Sequence, residues 1–453
     1  MDESKAVKNL SEIVGAANVR ASSSERGLYS VDGVAPQLVL FPGGIEEVSQ
    51  VMDRAAREKR AVIPWGSGTK MGWGRIPSRV DWVVSTSRLN RITECDHENL
   101  TVSVEPGAAL VKVQELLKGS ARGYFIPLDP PFSQKATVGG IVATRSSGPK
   151  RHFYGTPRDL ILALKVILPN GMENVWGRKT VKNVAGYDMA KVYIGSFGTL
   201  GIISEVTFRI LPLPERETTL VATFETALNA FEGVSKIVQS ELLPSAVEVL
   251  NSKGIEMLGL PATEKKESIA LAVDFEGFDE SVHRQITQVK EMIGSSRPVS
   301  IHVLEGTRQE AFWTGLRDFE STARLSYPDS TSCKVRVPVS KAAEVFALLE
   351  EITEGMGLQG GLRCHAGSGV VDMDFLSEDL KPRIDDFARA LIELREKISA
   401  LDGSMVMNRA PLSLKRRIDV WGPPGKDFVL MQSLKAKFDP DGLLNPGRFL
   451  GGI

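Results

Sequence analysis

Cysteine is scarce in this 453-residue chain: Cys95, Cys333 and Cys364 form an odd set with no C-x-x-C pair. That argues against a disulfide framework, a zinc ribbon or an iron–sulfur cluster carried by the chain itself, and it fits a reducing cytosol. Long hydrophobic runs are lacking too, since nothing approaches the roughly 18 to 20 apolar residues that span a bilayer. The start, Met1-Asp2-Glu3-Ser4-Lys5, is charged rather than apolar, so no secretory signal is expected. The sequons Asn9-Leu10-Ser11 and Asn99-Leu100-Thr101 therefore read as chance. Nor is there an excess of either charge: 55 basic against 56 acidic residues give a net charge of −1. No field exists to hold nucleic acid or an anionic bilayer, so partners must be recognised locally, with any membrane contact made through them.

What is present is ordinary globular material, 42% hydrophobic and 25% charged, long enough for two or three domains. Gly43-Gly44 precedes Ile45, Val48, Met52 and Ala55 at helical spacing, and the apolar run Ala61-Val62-Ile63 follows as a strand. From there to about Pro214 the chain is rich in glycine and short strands: 81–85, 100–104 and 160–168. Leu211-Pro212-Leu213-Pro214, followed by Glu215-Arg216-Glu217, punctuates the chain as a domain boundary would. Beyond it, strands 220–224, 246–250, 269–275 and 299–303 alternate with helices, and the alternation recurs with strands 333–337 and 369–375 and helices 341–356 and 380–401. This predicts an antiparallel sheet backed by helices. The tail from Trp421 is dense in turn formers and must pack on something else. The expected division is 1–215, 216–420 and 421–453.

Three glycine-rich segments carry the chemistry. Trp65-Gly66-Ser67-Gly68-Thr69-Lys70 follows a strand, and glycines there let several amides point one way, a nest suited to a pyrophosphate; a plain tight turn is the alternative. Thr137-Val138-Gly139-Gly140, with Pro130 before it and Ser147-Gly148 after it, permits a flat or charged ligand to approach the backbone, or is a packed helix start. Gly198-Thr199-Leu200-Gly201-Ile202-Ile203 enters a strand whose edge could bond the polar rim of a ring system, or is a β-bend. Taken together, separate glycine turns on the strands of one unit suit an extended dinucleotide.

The order of these segments, with Pro42-x-x-x-Glu46-Glu47-Val48, Val104-x-Pro106-Gly107 and Tyr154-Gly155-Thr156-x-Arg158-Asp159, resembles the FAD domain of the vanillyl-alcohol oxidase and p-cresol methylhydroxylase family over about residues 35–214. The resemblance implies an α+β fold, a PCMH-type FAD-binding domain of two α+β subdomains, with a cap domain. It implies FAD held by residues 65–70 (Trp65, Gly66, Ser67, Gly68, Thr69, Lys70), by Pro130, Gly139, Gly140, Ser147, Gly148, Tyr154 and Gly155, and by Gly198 through Ile203. Some relatives attach the flavin to a histidine in the first loop. This loop has none, so noncovalent FAD is expected.

Val181-Lys182-Asn183-Val184-Ala185-Gly186-Tyr187-Asp188 and the tail Phe438-Asp439-Pro440-x-Gly442-x-Leu444-Asn445-Pro446-Gly447-Arg448 resemble the 2-hydroxyacid branch, which includes glycolate oxidase and D-lactate dehydrogenase. The resemblance implies that the tail returns to the FAD domain, with Asn445 near the ring. Catalytic members share His365-Ala366-Gly367 but carry a second histidine for a divalent metal where this chain has Asp372. Two mixed ligands, His365 and Asp372, make a weak metal site, and no metal is expected. A Glu-His-Gly motif of the branch is replaced by Arg409-Ala410-Pro411-Leu412 and the basic Lys415, Arg416 and Arg417, which bind a carboxylate or form a solvated face. His365, Arg363 and Arg409 are the weak catalytic candidates. With Val420-Trp421-Gly422, these departures resemble the second flavin subunit of a three-subunit glycolate oxidase. That implies a catalytic flavin subunit and an iron–sulfur subunit as partners, a small 2-hydroxyacid as substrate, and a cytoplasmic place, peripheral to the inner membrane face through the complex. A self-sufficient dehydrogenase and a flavin-free assembly scaffold are the alternatives.

Overall fold

A computed structural model describes residues 3–178, 187–259 and 268–453, so of the 181–188 motif only Tyr187 and Asp188 lie inside the described residues. The chain forms two compact units, the first made of Met1–Ser146, Thr156–Leu213 and Pro423–Ile453, the second of Ser147–Gly155 and Pro214–Gly422.

The first unit contains two α+β layers. Ile45–Arg57 is helical because Val48, Val51, Met52 and Ala55 recur on one buried face, with Glu46 and Glu47 in its first turn and Arg54 and Arg57 in its last to match the helix dipole. That face and the helix Glu3–Val14 cover a four-stranded sheet ordered Val19–Arg20, Leu38–Leu40, Trp82–Ser85, Val62–Trp65, whose last three strands are parallel. A second, five-stranded antiparallel sheet runs Ile92–Asp96, Thr101–Val104, Ile202–Arg209, Ile161–Ile167, Glu173–Gly177. Helices Leu110–Lys118 and Val138–Thr144 bury Leu110, Val113, Leu117, Val138, Ile141 and Val142 against it. The tail returns to the first sheet: Val62 N donates to Leu443 O at 2.7 Å, Asn445 N donates to Val62 O at 3.0 Å, and Leu444 bridges Val62 in parallel.

The second unit is one eight-stranded antiparallel sheet with an internal repeat. Its order is Ser300–Leu304, Arg216–Phe224, Ile269–Gly277, Ala246–Leu250, then Gln359–His365, Val370–Leu376, Thr331–Arg336, Ser404–Arg409. Numbered along the chain within each half, the first four read 4-1-3-2 and the second four 2-3-1-4. The halves meet at their second strands, where Glu248 pairs with His365, Val249 with Cys364 and Leu250 with Arg363. One face carries Leu220, Phe224, Val249, Phe275, Cys333, Cys364 and Phe375, packed with the helices Ala227–Val238, Asp279–Gly294, Ala342–Gly355 and Ile384–Ala400. The alternation legible in the sequence is this repeat. Strands Gln359–His365 and Ser404–Arg409 and helices Gly306–Arg317, Phe319–Ser326 and Phe428–Phe438 lie beyond what periodicity predicts. Gly360 and Gly361 open the first of these strands, and no residue of the last helix is buried, so each lacks the usual apolar signature.

Candidate functional site

In the first unit the ends of several elements surround an open cleft. The loop after strand Val62–Trp65 supplies Trp65, Gly66, Ser67, Gly68, Thr69 and Lys70; Gly139 and Gly140 come from the helix capped by Thr137; Gly198, Gly201, Ile202 and Ile203 come from the entry to Ile202–Arg209; the tail gives Asn445 and Arg448. Three segments widely separated in sequence thus meet as one wall.

Bare backbone is what lets them meet. Gly68 and Gly198 have φ of +77° and +68°, the left-handed region that favours glycine. A Cβ on Gly66 would lie 2.3 Å from Thr137 Oγ1, and one on Gly139 would lie 2.7 Å from Pro106 Cβ. The amides of Ser67, Gly68 and Thr69 donate to no carbonyl or side chain among the described residues, so this turn holds donors for phosphate oxygens. Lys70 is buried, its ammonium 5.7 Å from the Trp73 ring centroid and 5.4 Å from that of Phe132. The donor set therefore fits an anionic dinucleotide.

The tail stitches this wall together. Asn445 Nδ2 donates to Phe197 O at 2.7 Å, and Arg448 Nη2 donates to the carbonyls of Met71 and Trp73, each at 2.8 Å. Burial pulls the Arg448 guanidinium down to about 10 against the attraction of Asp32. Lys435 Nζ reaches Thr199 O at 2.8 Å and Asp439 at 2.6 Å. Of the other expected cofactor residues, Pro130 is buried in its loop, Thr199 Oγ1 donates to Ser196 O at 2.7 Å, and Leu200 belongs to the core beneath the five-stranded sheet. Ser147, Gly148, Tyr154 and Gly155 belong to the second unit.

That unit's sheet has one strongly polar face. His365 is pinned on both sides, Nδ1 2.6 Å from Glu248 Oε1 and Nε2 3.2 Å from Asp372 Oδ2. Burial disfavours its imidazolium, but Glu248 and Asp372 outweigh burial and raise its pKa. Burial would raise the Asp372 carboxyl, yet Lys334, 3.1 Å away, then His365 and Arg363, hold it well below the usual range. Arg363 Nη1 donates to Asp374 at 2.7 Å, with its guanidinium 4.0 Å from the Phe319 centroid. Arg409 ends the last strand, in register with Ser332. In the basic cluster Lys415 is half-buried, Arg416 is exposed and Arg417 pairs with Asp385.

A second buried group escaped sequence reasoning. Lys150 Nζ lies 2.7 Å from Glu217 and also pairs with Glu276, while Tyr154 OH donates to Glu276 at 2.6 Å. Burial pushes Glu276 up to about 7, Lys150 countering, and Asp274 up to about 6. Asp274 accepts from Thr219 Oγ1 and Ser245 Oγ, each at 2.6 Å. The available signal was spacing: Asp274 and Glu276, like Asp372 and Asp374, sit two apart in otherwise apolar strands, which puts each pair on one face.

A cleft of glycine turns and amide donors on this α+β frame suits a dinucleotide, and the comparisons make that dinucleotide a flavin. Residues 36–174 match an FAD-binding domain and residues 213–449 match the C-terminal domain of FAD-linked oxidases. The chain belongs to the FAD-linked oxidases, and it is an FAD-dependent oxidoreductase. Relatives include glycolate oxidase subunit GlcD of Bacillus subtilis, 29% identical over 97% of this chain and 96% of that one. The D-lactate dehydrogenase of Archaeoglobus fulgidus is 26% identical over 91% and 90% of the two chains. The fold is shared with p-cresol methylhydroxylase at TM-score 0.78 and 17% identity, over 98% and 96% of the chains. FAD as cofactor removes the flavin-free scaffold reading. When bound, the flavin would supply two-electron redox chemistry, and the glycine turns and tail residues lining the cleft would hold it. Among the described residues, no helix is long and apolar enough to cross a membrane.

Proposed function

We propose that the chain is the FAD-binding subunit of a glycolate-oxidase-type complex acting on a small 2-hydroxyacid, glycolate or D-lactate. The hydroxyacid is oxidised on a sister flavin subunit, and electrons leave through an iron–sulfur subunit. FAD is assigned to the cleft of Trp65 to Lys70, Gly139, Gly140, Gly198, Gly201 to Ile203 and Asn445. The substrate class rests on the named activities of the relatives, a glycolate oxidase subunit and D-lactate dehydrogenases. The supporting role rests on one observation: both nitrogens of His365 are engaged by carboxylates, which favours imidazolium. A proton acceptor for hydroxyacid oxidation must be free to take a proton, and this imidazole is already committed.

Anaerobic stopped-flow mixing of the yellow protein with glycolate or D-lactate tests this reading. The flavin band is expected to persist with this chain alone and to bleach once the sister flavin and iron–sulfur subunits are added. Prompt bleaching of the isolated chain counts against it. A self-sufficient dehydrogenase is the second reading, favoured by the end-to-end alignment with D-lactate dehydrogenases. Its candidate residues are His365, Arg363, Arg409 and Asp372, and full turnover after His365→Ala would remove His365 from that set.

A further inference from the structure

The polar face of the second unit's sheet gathers cationic groups around one carboxylate. Asp372 stands in register between Lys334 on one neighbouring strand and Arg363 on the other. Its oxygens are divided, Oδ1 3.1 Å from Lys334 Nζ and Oδ2 3.2 Å from His365 Nε2. Arg336 lies two residues beyond Lys334 and so faces the same side. Arg151 comes from the short helix Arg151–Tyr154, which packs on the strand Ala246–Leu250 and the turn Ala366–Ser368. Burial, with repulsion from Arg151 and Arg336, brings Lys334 down to about 8 despite Asp372. From behind, Glu248 holds the other nitrogen of His365 and Asp374 holds Arg363. Asp372 is thus the carboxylate that serves Lys334 Nζ and His365 Nε2 together.

We propose that Asp372 is a built-in carboxylate occupying a seat shaped for a small carboxylate ligand, and that while it is there the seat is closed to a hydroxyacid. Two donors spaced to meet the two oxygens of one carboxylate do not distinguish a side chain from a free anion of the same geometry. Removing the side chain leaves the donors on two strands of one sheet and frees the volume of one carboxylate beside a partly exposed position. The choice of glycolate as ligand rests on the 2-hydroxyacid reading; the seat itself does not.

The test is calorimetric titration of the FAD-loaded full chain with acetate and with glycolate at fixed ionic strength. Asp372→Ala is expected to bind both at least about tenfold more tightly than the parent, and Lys334→Ala in that background to abolish the gain. Asp372→Ser, which keeps a hydrogen-bonding group on the strand, carries the same expectation should the alanine variant not fold. A parent that binds glycolate as tightly as the variants, or a folded variant that binds neither anion, overturns the proposal. The two readings fail separately: an Asp372 variant that takes up no carboxylate removes the seat and leaves the relay role standing, whereas flavin bleaching by glycolate in the parent counts against the relay alone.

Discussion

Gly198 and His365 show what single positions do here. At φ +68°, with a Cβ predicted 2.9 Å from Asn445 Nδ2, Gly198→Ala both strains the backbone, by about 1 to 2 kcal/mol, and pushes on the tail residue that lines the cleft. Flavin titration by fluorescence quenching is expected to show FAD affinity lower by about tenfold, the equivalent of 1.4 kcal/mol. His365 governs a pH dependence instead. Its pKa is raised above the ordinary 6.5, so its contribution to stability is fully present below 6.5 and is lost as pH rises through the folded value. Urea midpoints should therefore fall more steeply above pH 6.5 in the parent than in His365→Gln. Lys334, held at about 8, acts in the opposite sense above that pH, so the comparison is the difference between the two proteins. Glycine was legible in the sequence because few other residues tolerate these turns. Glu248, Lys334 and Lys150 were not, because a charged residue is ordinarily read as solvated and only the fold shows it buried beside its counter-charge.

At the scale of elements, the parallel bridge between Leu444 and Val62 extends the first sheet with chain from the far end of the sequence. Truncation after Asp441 removes that bridge, the Leu443 carbonyl that serves Val62 N, and both Asn445 and Arg448. The shortened protein is expected to be isolated without yellow colour, and an absorbance ratio at 450 and 280 nm unchanged from the parent would refute the role given to the tail. Strands and helices with clean apolar periodicity, such as Ala246–Leu250 and Ile45–Arg57, were readable from sequence alone. Gln359–His365 was not, since its glycines hide the alternation. The pairing of the two halves through Val249 and Cys364 depends on register between distant strands, which no local pattern encodes.

For the molecule as a whole, two units with separate cores imply two responses to ligand. Scanning calorimetry should show FAD raising the unfolding temperature of one transition, because a ligand stabilises the unit that binds it, while substitutions at Lys150 or Asp274 move the other. A single transition shifted equally by both changes would mean that the units unfold together. The insertion of the second unit's sequence between segments of the first also sets an order of biosynthesis. As the ribosome delivers the chain, everything from Pro214 to Gly422 can close its sheet while the cleft still lacks Asn445 and Arg448, which are made later. Flavin retention is thereby expected to wait on this segment: a product stopped before Asn445 lacks two residues of the cleft wall and should be colourless however well its middle has folded.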